Sequence, residues 1–148
     1  MKTYLTFQLD QETFAVNVNY VLHILEMEDL TVIPLMPSYM KGILDWRGEA
    51  LPIIDLKMKL DLAPVETTSD TCIIVLEVNG SHLGMLVDKI REVIEIKAEE
   101  IKPFPKLGNY EFIEGTYLQD NEFLDDENFI MLCDIEKVFQ DHQILSLI

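Results

Sequence analysis

Residues 41–56 read KGILDWRGEALPIIDL, and this stretch indicates the fold more directly than any other part of the chain. Two short apolar runs, 43–46 and 50–54, flank the turn residues Arg47-Gly48-Glu49. Short runs of this kind on either side of a glycine-containing turn are typical of two antiparallel strands. The stretch therefore predicts a β-hairpin, and residues 55–60 after it predict a short amphipathic helix.

A period of two continues on both sides of this hairpin. Residues 3–9 and 13–18 alternate around a polar turn, and residues 71–78 and 82–87 flank Asn79-Gly80, the strongest two-residue turn signal in the chain. We expect about ten short strands in all, the others lying at 31–34, 90–96, 112–118 and 129–132.

Single helical turns are expected between some of these strands. They are predicted after an Asn19 cap (with Val21, Leu22, Ile24 and Leu25 on the turn), at 37–42 and at 98–100, and residues 135–140 predict a closing helix. Residues 120–128 hold five acids and no base, and predict an exposed loop. The polar segment 63–70 divides the strands into two groups, which favours two small barrels around a shared core, because closing a barrel removes exposed edges. No sequence repeat relates the two groups.

The charge of the chain excludes several classes of partner. There are 27 acidic and 11 basic residues among 148, a formal net charge of −16, so nucleic acid and anionic membranes would be repelled. Such a surface fits either plain solubility or attraction to a basic partner. The longest apolar runs are too short to span a bilayer, and residues 1–7 alternate like a strand instead of forming a signal peptide. We expect a cytoplasmic protein.

Motifs for catalysis, metal binding and cofactors are absent from the sequence. Cys72 and Cys133 lie in separate apolar runs, and the three histidines show no ligand spacing with them or with each other. There is no G-x-S-x-G, P-loop, G-x-G-x-x-G or H-E-x-x-H. We therefore expect two buried free cysteines, no metal, no cofactor and no enzymatic activity.

The predicted turn at Trp46-Arg47 is the strongest candidate for a binding surface. It carries the only tryptophan and one of two arginines in the chain. Tryptophan and arginine are enriched at binding hot spots, and a guanidinium makes forked contacts to carboxylates. The other interpretation is that Trp46 points into the core and Arg47 pairs locally with Glu49 or Asp45. The residues themselves leave both interpretations open.

The same segment resembles the signature of the CheW-type coupling proteins of bacterial chemotaxis, G-[VI]-x-N-L-R-G-x-x-x-P-[VI]-[VI]-D-L. In this chain it stands at residues 42–56 as GILDWRGEALPIIDL. The resemblance extends over essentially the whole chain, with further matches at 14–24, 33–37, 83–88, 101–105 and 134–138.

The resemblance implies a mainly β fold of two intertwined five-stranded SH3-like barrels that share a hydrophobic core, with a few short helices. The first barrel would cover roughly 13–66 and the second 71–140, with terminal strands exchanged. The implied function is a non-catalytic adaptor between the regulatory domain of a CheA-type histidine kinase and the cytoplasmic tips of methyl-accepting chemoreceptors. It would be cytoplasmic, and peripheral to the inner membrane through receptor arrays.

Carried over by position, the resemblance implies kinase binding by Val21, His23 and Ile24, and receptor binding by Arg47 and Gly84. It also suggests that Asp55 is a structural hydrogen-bond anchor. The family usually has glutamate where this chain has His23, and Asn-Leu where it has Asp45-Trp46.

These departures leave open which kinase cluster the chain would serve, swimming or surface motility. We expect an exposed Trp46 indole to add a partner-specific contact to the receptor-binding set. The alternative function is a small-molecule binding module that uses the groove between the barrels.

Overall fold

The computed structural model describes residues 1–105, 112–121 and 126–140. Within these residues the chain forms ten strands and two short α-helices. The strands are β1 (Lys2–Leu9), β2 (Glu12–Asn17), β3 (Val21–Glu26), β4 (Met40–Trp46), β5 (Glu49–Asp55), β6 (Cys72–Val78), β7 (Ser81–Val87), β8 (Lys89–Ile96), β9 (Ile113–Asn121) and β10 (Asp126–Cys133), and the helices are α1 (Leu56–Lys59) and α2 (Ile135–Val138).

The strands form two five-stranded sheets. Sheet 1 has the order β8-β1-β2-β10-β9, and sheet 2 has the order β3-β6-β7-β5-β4. Each sheet contains one parallel pair, β2 with β10 and β5 with β7, and its other neighbours are antiparallel. The two outer strands of sheet 1 approach each other where Gln119 Nε2 donates to Glu92 Oε1 at 3.1 Å. The predicted class, mainly β with two five-stranded SH3-like units and few helices, is confirmed.

The chain enters sheet 2 after β2 and returns to sheet 1 after β7, so the two units are intertwined. The two sheets do not follow the ranges expected for the two barrels, 13–66 for the first and 71–140 for the second. Residues 63–70 connect two strands of sheet 2, because β6 and β7 pair with β3 and β5. Strand β2 belongs to sheet 1, where it lies between β1 and β10.

One apolar core joins the two sheets. Phe7 and Leu9 of β1 are fully buried in the same cluster as Ile54 of β5, Ile74 of β6 and Met85 of β7. Burial of side chains of this size stabilises the fold by about 1.5–3 kcal/mol each. The shared core that the sequence predicts is therefore confirmed.

Both predicted hairpins around residues 10–12 and 79–80 are confirmed, as is the hairpin at 43–54. The short helix after Asp55 and the closing helix are also present, although the latter is only one turn long. The 3₁₀ turn at Ala98–Glu100 agrees with the sequence as well.

The helical turn predicted after Asn19 is wrong. Asn17 caps a 3₁₀ turn at Val18–Tyr20, and Val21–Glu26 is strand β3. The reason is tertiary, since this segment pairs with β6 in sheet 2. The sequence alone could not reveal that partner.

Three further local predictions need correction. Residues 31–34 contribute only an isolated bridge between Thr31 and Ile43. The helical turn predicted at 37–42 is shorter, a turn closed by the hydrogen bond from Met40 N to Pro37 O, and residues 40–42 belong to β4. The predicted acidic loop at 120–128 is largely strand, since β9 reaches Asn121 and β10 starts at Asp126. Its residues 122–125 lie outside the described part of the chain.

Candidate functional site

The turn between β4 and β5 is a tight two-residue connection. Arg47 has φ +54° and Gly48 has φ +82°, and consecutive positive φ values match the twist of a β-hairpin. Asp45 Oδ1 accepts a hydrogen bond from Gly48 N at 3.0 Å, and Trp46 lies opposite Glu49 in the register. Because the turn is short and held by Asp45, the Arg47 backbone is fixed relative to sheet 2.

Trp46 is buried, with 8% of its surface exposed. Residues along β4 alternate between inside and outside, and this alternation puts Trp46 on the inner side with Leu44. It packs in a second apolar cluster with Leu51, Ile53 and Ile73. The expectation of an exposed indole is therefore wrong, and the interpretation that points Trp46 into the core is correct.

Arg47 is exposed, and its guanidinium lies over the Trp46 ring, with Cζ 4.7 Å from the ring centroid. A cation over an indole face at this distance is attracted by about 0.5–1 kcal/mol at an exposed site. The predicted local ion pair with Glu49 or Asp45 does not form. In the described part of the chain, no carboxylate lies within salt-bridge distance of this guanidinium.

His82 on β7 completes this arrangement, and sequence analysis did not assign it to the site. Its ring meets Trp46 edge-on, with centroids 5.4 Å apart and an interplanar angle of 89°. His82 Nδ1 lies 2.9 Å from Glu49 Oε2. The parallel pairing of β5 with β7 brings His82 beside the turn. A pairing between strands so far apart in sequence leaves no local signal that could have identified His82.

Gly84 lies two residues further along β7 and is buried. A Cβ placed on it would meet Ile53 Cδ1 at 2.5 Å and Ile73 Cγ2 at 2.8 Å. Both isoleucines belong to the cluster that supports Trp46. Gly84 is thus linked to Arg47 through the packing beneath Trp46, and it offers little surface of its own to a partner.

Val21, His23 and Ile24 lie together on β3, the edge strand of sheet 2 opposite in strand order to β4. His23 and Ile24 are exposed, the latter by 40%, whereas Val21 is partly buried against the main core. The register shifts between Val21 and His23, which is the signature of a β-bulge. The structure therefore separates this group from the Trp46–Arg47 turn.

Asp55 is fully buried and caps α1. Its carboxylate accepts hydrogen bonds from Met58 N at 3.1 Å and Val65 N at 2.9 Å, and Lys41 Nζ lies 4.0 Å away. Its expected role as a structural hydrogen-bond anchor is confirmed.

A polar cleft of about 370 Å³ lies at the junction of the two sheets. Its lining includes Lys57 of α1, which is buried and contacts Asp10 Oδ1 at 2.5 Å and Asp88 Oδ2 at 3.6 Å. The hydrogen bond to Asp10 is the largest influence on the ammonium, and it raises the pKa of Lys57. We call these three residues the junction ion cluster. It joins α1 of sheet 2 to the β1–β2 turn of sheet 1.

The two cysteines are free; Cys133 is buried as expected, whereas Cys72 is only partly buried. Burial raises the pKa of Cys133 to about 12 and also raises that of Cys72, so both thiols are poor nucleophiles near neutral pH. Within the described ranges, no group of three or more His, Cys, Asp and Glu side chains is arranged to hold a metal ion. No helix in those ranges is long and apolar enough to cross a membrane.

Comparison with known proteins identifies the family. Residues 3–143 match the model of the CheW-like domain family. The probable chemotaxis protein CheW of Rhizobium etli is 30% identical over 140 residues, covering 93% of this chain and 86% of the relative. The chemotaxis protein CheW of Treponema pallidum is 30% identical over 149 residues, covering 96% and 84% of the respective chains.

A solved structure agrees with these matches. The crystal structure of the scaffolding protein TtCheW from Thermoanaerobacter tengcongensis superimposes with a TM-score of 0.84 and 27% sequence identity. The superposition covers 96% of this chain and 94% of that one. The comparisons give no support to the alternative of a small-molecule binding module. With sequence and fold in agreement along nearly its whole length, this chain belongs to the CheW-like domain family.

Proposed function

We propose that this protein is a non-catalytic signalling adaptor that couples chemoreceptors to a CheA-type histidine kinase, in chemotaxis or a related motility pathway. Membership of a family of chemotaxis proteins supports this function. The partners are the regulatory domain of the kinase and the cytoplasmic tip of the receptors. The protein acts in the cytoplasm, held near the inner membrane by the receptors it binds.

Arg47 supports the proposed contact with the receptor, because it is exposed and, within the described ranges, has no carboxylate partner of its own. Its guanidinium is exposed on a rigid turn and has no carboxylate partner in the described residues, although the chain has a net charge of −16. On such a surface, an arginine without a partner is a specific binding site for a carboxylate of another protein, to which its N–H groups donate. We assign the receptor contact to Arg47, with Trp46 and Gly84 supporting it from beneath.

The kinase half rests on the edge strand β3. An edge strand presents unpaired backbone groups to which another sheet can add, and its exposed side chains select the partner. His23 and Ile24 are the exposed members of the assigned set, and Val21 anchors the strand to the core. Because β3 and β4 are the two outer strands of sheet 2, an adaptor can engage both partners at once.

The receptor contact is tested by replacing Arg47→Glu and measuring binding to a soluble cytoplasmic fragment of a chemoreceptor from the same organism. We expect at least a tenfold loss of affinity, because a contact to a carboxylate becomes a repulsion. Lys137→Glu makes a similar charge reversal on α2 and should leave binding within twofold. Equal binding by the Arg47 variant and the wild type would contradict the assignment.

The kinase contact is tested separately with Ile24→Asp and the isolated regulatory domain of the kinase. A charge on this exposed apolar position should weaken kinase binding at least tenfold while receptor binding is retained. Arg47→Glu should have the opposite effect, weakening receptor binding while kinase binding is retained. The two results together would show two independent surfaces. Loss of both kinase binding and receptor binding in either variant would indicate misfolding, which the unfolding midpoint in urea detects.

A further inference from the structure

We propose that His82 and Trp46 are positioning residues that keep the guanidinium of Arg47 available to a carboxylate of the receptor, His82 by holding the carboxylate of Glu49 away from it. This inference rests on the proposed function and goes further, because it explains why Arg47 has no carboxylate partner among the described residues of an acidic protein.

The two acids nearest to Arg47 in sequence are both engaged elsewhere. Asp45 Oδ1 accepts the hydrogen bond from Gly48 N at 3.0 Å, which closes the turn. Glu49 Oε2 of β5 accepts from His82 Nδ1 of the neighbouring strand β7 at 2.9 Å. A carboxylate on the same two-residue turn would otherwise be the first partner for an exposed guanidinium. Here the backbone of the turn holds one acid, and His82 holds the other.

His82 retains Glu49 in either of its protonation states. A neutral imidazole that carries its proton on Nδ1 donates it to Glu49, and a protonated imidazole adds an ion pair. Glu77 lies directly opposite His82 on β6 and is also exposed, so His82 stands between two acids, one on each neighbouring strand. Its contact is with Glu49, on the side where Arg47 lies.

Trp46 provides the surface on which the guanidinium rests. Its ring is fixed by burial in the second apolar cluster and by the edge-on contact with His82. Arg47 Cζ lies over the face of this ring, 4.7 Å from the ring centroid. A cation–π contact uses none of the N–H donors of a guanidinium, so these can still form a forked contact with a carboxylate. The indole therefore orients Arg47 without consuming its hydrogen-bonding capacity.

The arrangement predicts a specific rescue. Replacing His82→Ala releases Glu49, which can then pair with Arg47 and compete with the receptor carboxylate. We expect receptor-fragment affinity to fall about three- to fivefold, the size of an exposed ion-pair competition. Adding Glu49→Gln to His82→Ala removes the competitor, and affinity should return to within twofold of the wild type. A role for His82 in packing alone would not be rescued by this second change.

Glu77→Gln provides the matched control, since it removes one negative charge on the opposite side of His82. Combined with His82→Ala, it should leave the loss of affinity in place. Equal rescue by Glu77→Gln and Glu49→Gln would reduce the effect to overall charge and overturn the proposal. Failure of Glu49→Gln to rescue would overturn it as well.

A partner-free readout separates this inference from the proposed function. NMR signals of the Arg47 side chain should be shifted upfield by the Trp46 ring in the wild type. The shift should be reduced in His82→Ala and restored in the double variant with Glu49→Gln. If the Arg47 signals are the same in all three proteins, the proposal fails, whether or not the receptor fragment binds. If the wild type does not bind the fragment, the proposed function fails and these signals still decide the inference.

Discussion

Sheet 1 and sheet 2 share one architecture although they share no recognisable sequence. In each, a central parallel pair is flanked by antiparallel neighbours, and the strand order matches position by position, β8-β1-β2-β10-β9 against β3-β6-β7-β5-β4. In each, a one-turn helix with an aspartate N-cap follows directly on a strand, with Asp55 as the cap in sheet 2 and Asp134 in sheet 1. The molecule is therefore two versions of one supersecondary unit, wound through each other.

The correspondence extends to single hydrogen bonds. Asp55 N donates to Tyr39 O, and Asp134 N donates to Phe112 O, both at 2.8 Å. Thr31 exchanges two backbone hydrogen bonds with Ile43, and Lys102 does the same with Thr116. Each bridge crosses beside a glycine, Gly42 or Gly115, where a Cβ would strike the bridging segment. The backbone hydrogen bonds that tie each bridging segment to the hairpin after it are therefore the same in both sheets.

The two hairpins differ at their ends. In sheet 2 the β4–β5 turn is short and carries Arg47 on the Trp46 ring. In sheet 1 the corresponding hairpin ends of β9 and β10 fall within residues 120–128, a stretch of sequence that holds five acids and no base. The charged residues at the β4–β5 turn thus include a base, whereas those at residues 120–128 are all acids. The two sheets thus share their strand arrangement and backbone hydrogen bonds but differ in their turns. This is expected where loops carry function and strands carry stability.

The largest difference between equivalent positions should appear at the two cap residues. Asp55→Ala leaves Met58 N and Val65 N unsatisfied in a fully buried site, and should lower the free energy of unfolding by roughly 3–4 kcal/mol. Asp134→Ala removes an exposed hydrogen bond to Lys137 N and should cost about 1 kcal/mol, as for an ordinary N-cap. Urea unfolding of both variants checks this, and equal losses would contradict the difference in burial.

The two glycines beside the bridges come next. At Gly42, φ is +152° and a Cβ would lie 2.5 Å from the backbone oxygen of Thr31, so Gly42→Ala should destabilise by roughly 2–3 kcal/mol. At Gly115 the nearest atom is Ile101 Cγ2 at 2.8 Å, with Lys102 O at 2.9 Å, and Gly115→Ala should cost about 1–2 kcal/mol. Thermal or urea unfolding gives the order, and a larger loss at Gly115 would reverse the comparison.

Lys57 and Glu136 occupy the same position on α1 and α2, one buried and one exposed. Lys57→Met breaks the junction ion cluster and should cost roughly 1–2 kcal/mol at pH 7, whereas Glu136→Met should change stability by less than about 0.5 kcal/mol. The folded-state pKa of Lys57 is raised, so its contribution is present below the unfolded-state pKa of about 10.4 and is lost as pH rises through the folded value. The stability difference between wild type and Lys57→Met should therefore be constant from neutral pH up to about pH 10 and shrink above it. A difference that grows with pH would refute the role of the ammonium.

The smallest effect concerns the fluorescence of Trp46, which has no counterpart in sheet 1. Because the indole is buried against Leu51 and Ile53, its emission should already be shifted to the blue in the free protein and should move little when a partner binds. Acrylamide should quench it weakly. Solvent-like emission from the free protein would contradict the buried placement of the ring.

Much of the fold could be predicted from local signals. Period-two alternation and the Asn79-Gly80 turn located the three hairpins, and the residues around Asp55 located α1. What failed was the assignment of strands to sheets, because the parallel pairs β2–β10 and β5–β7 join segments far apart in sequence. The repeat was missed for a related reason. It resides in backbone hydrogen bonds such as those of Thr31 and Lys102, which impose few demands on side-chain identity.

The candidate site was predicted in part. Arg47 stood out because arginine is scarce in this chain, and its exposure agrees with a binding role. His82 could not be associated with it, since the two are brought together only by the β5–β7 pairing. The environment of Trp46 was misjudged because a tryptophan beside a turn can face either side of the hairpin, and the register decides which.

The alternation of the chain between the sheets also has a consequence for folding order. All five strands of sheet 2 lie within residues 21–87, so that sheet can close as soon as this stretch has left the ribosome. Sheet 1 combines residues 2–17 with residues 89–133, and β2 has no partner on one side until β10 is made. Non-local pairing of this kind slows folding and leaves an open strand edge in the meantime. During synthesis, β2 therefore has an open edge that can mispair until β10 is made.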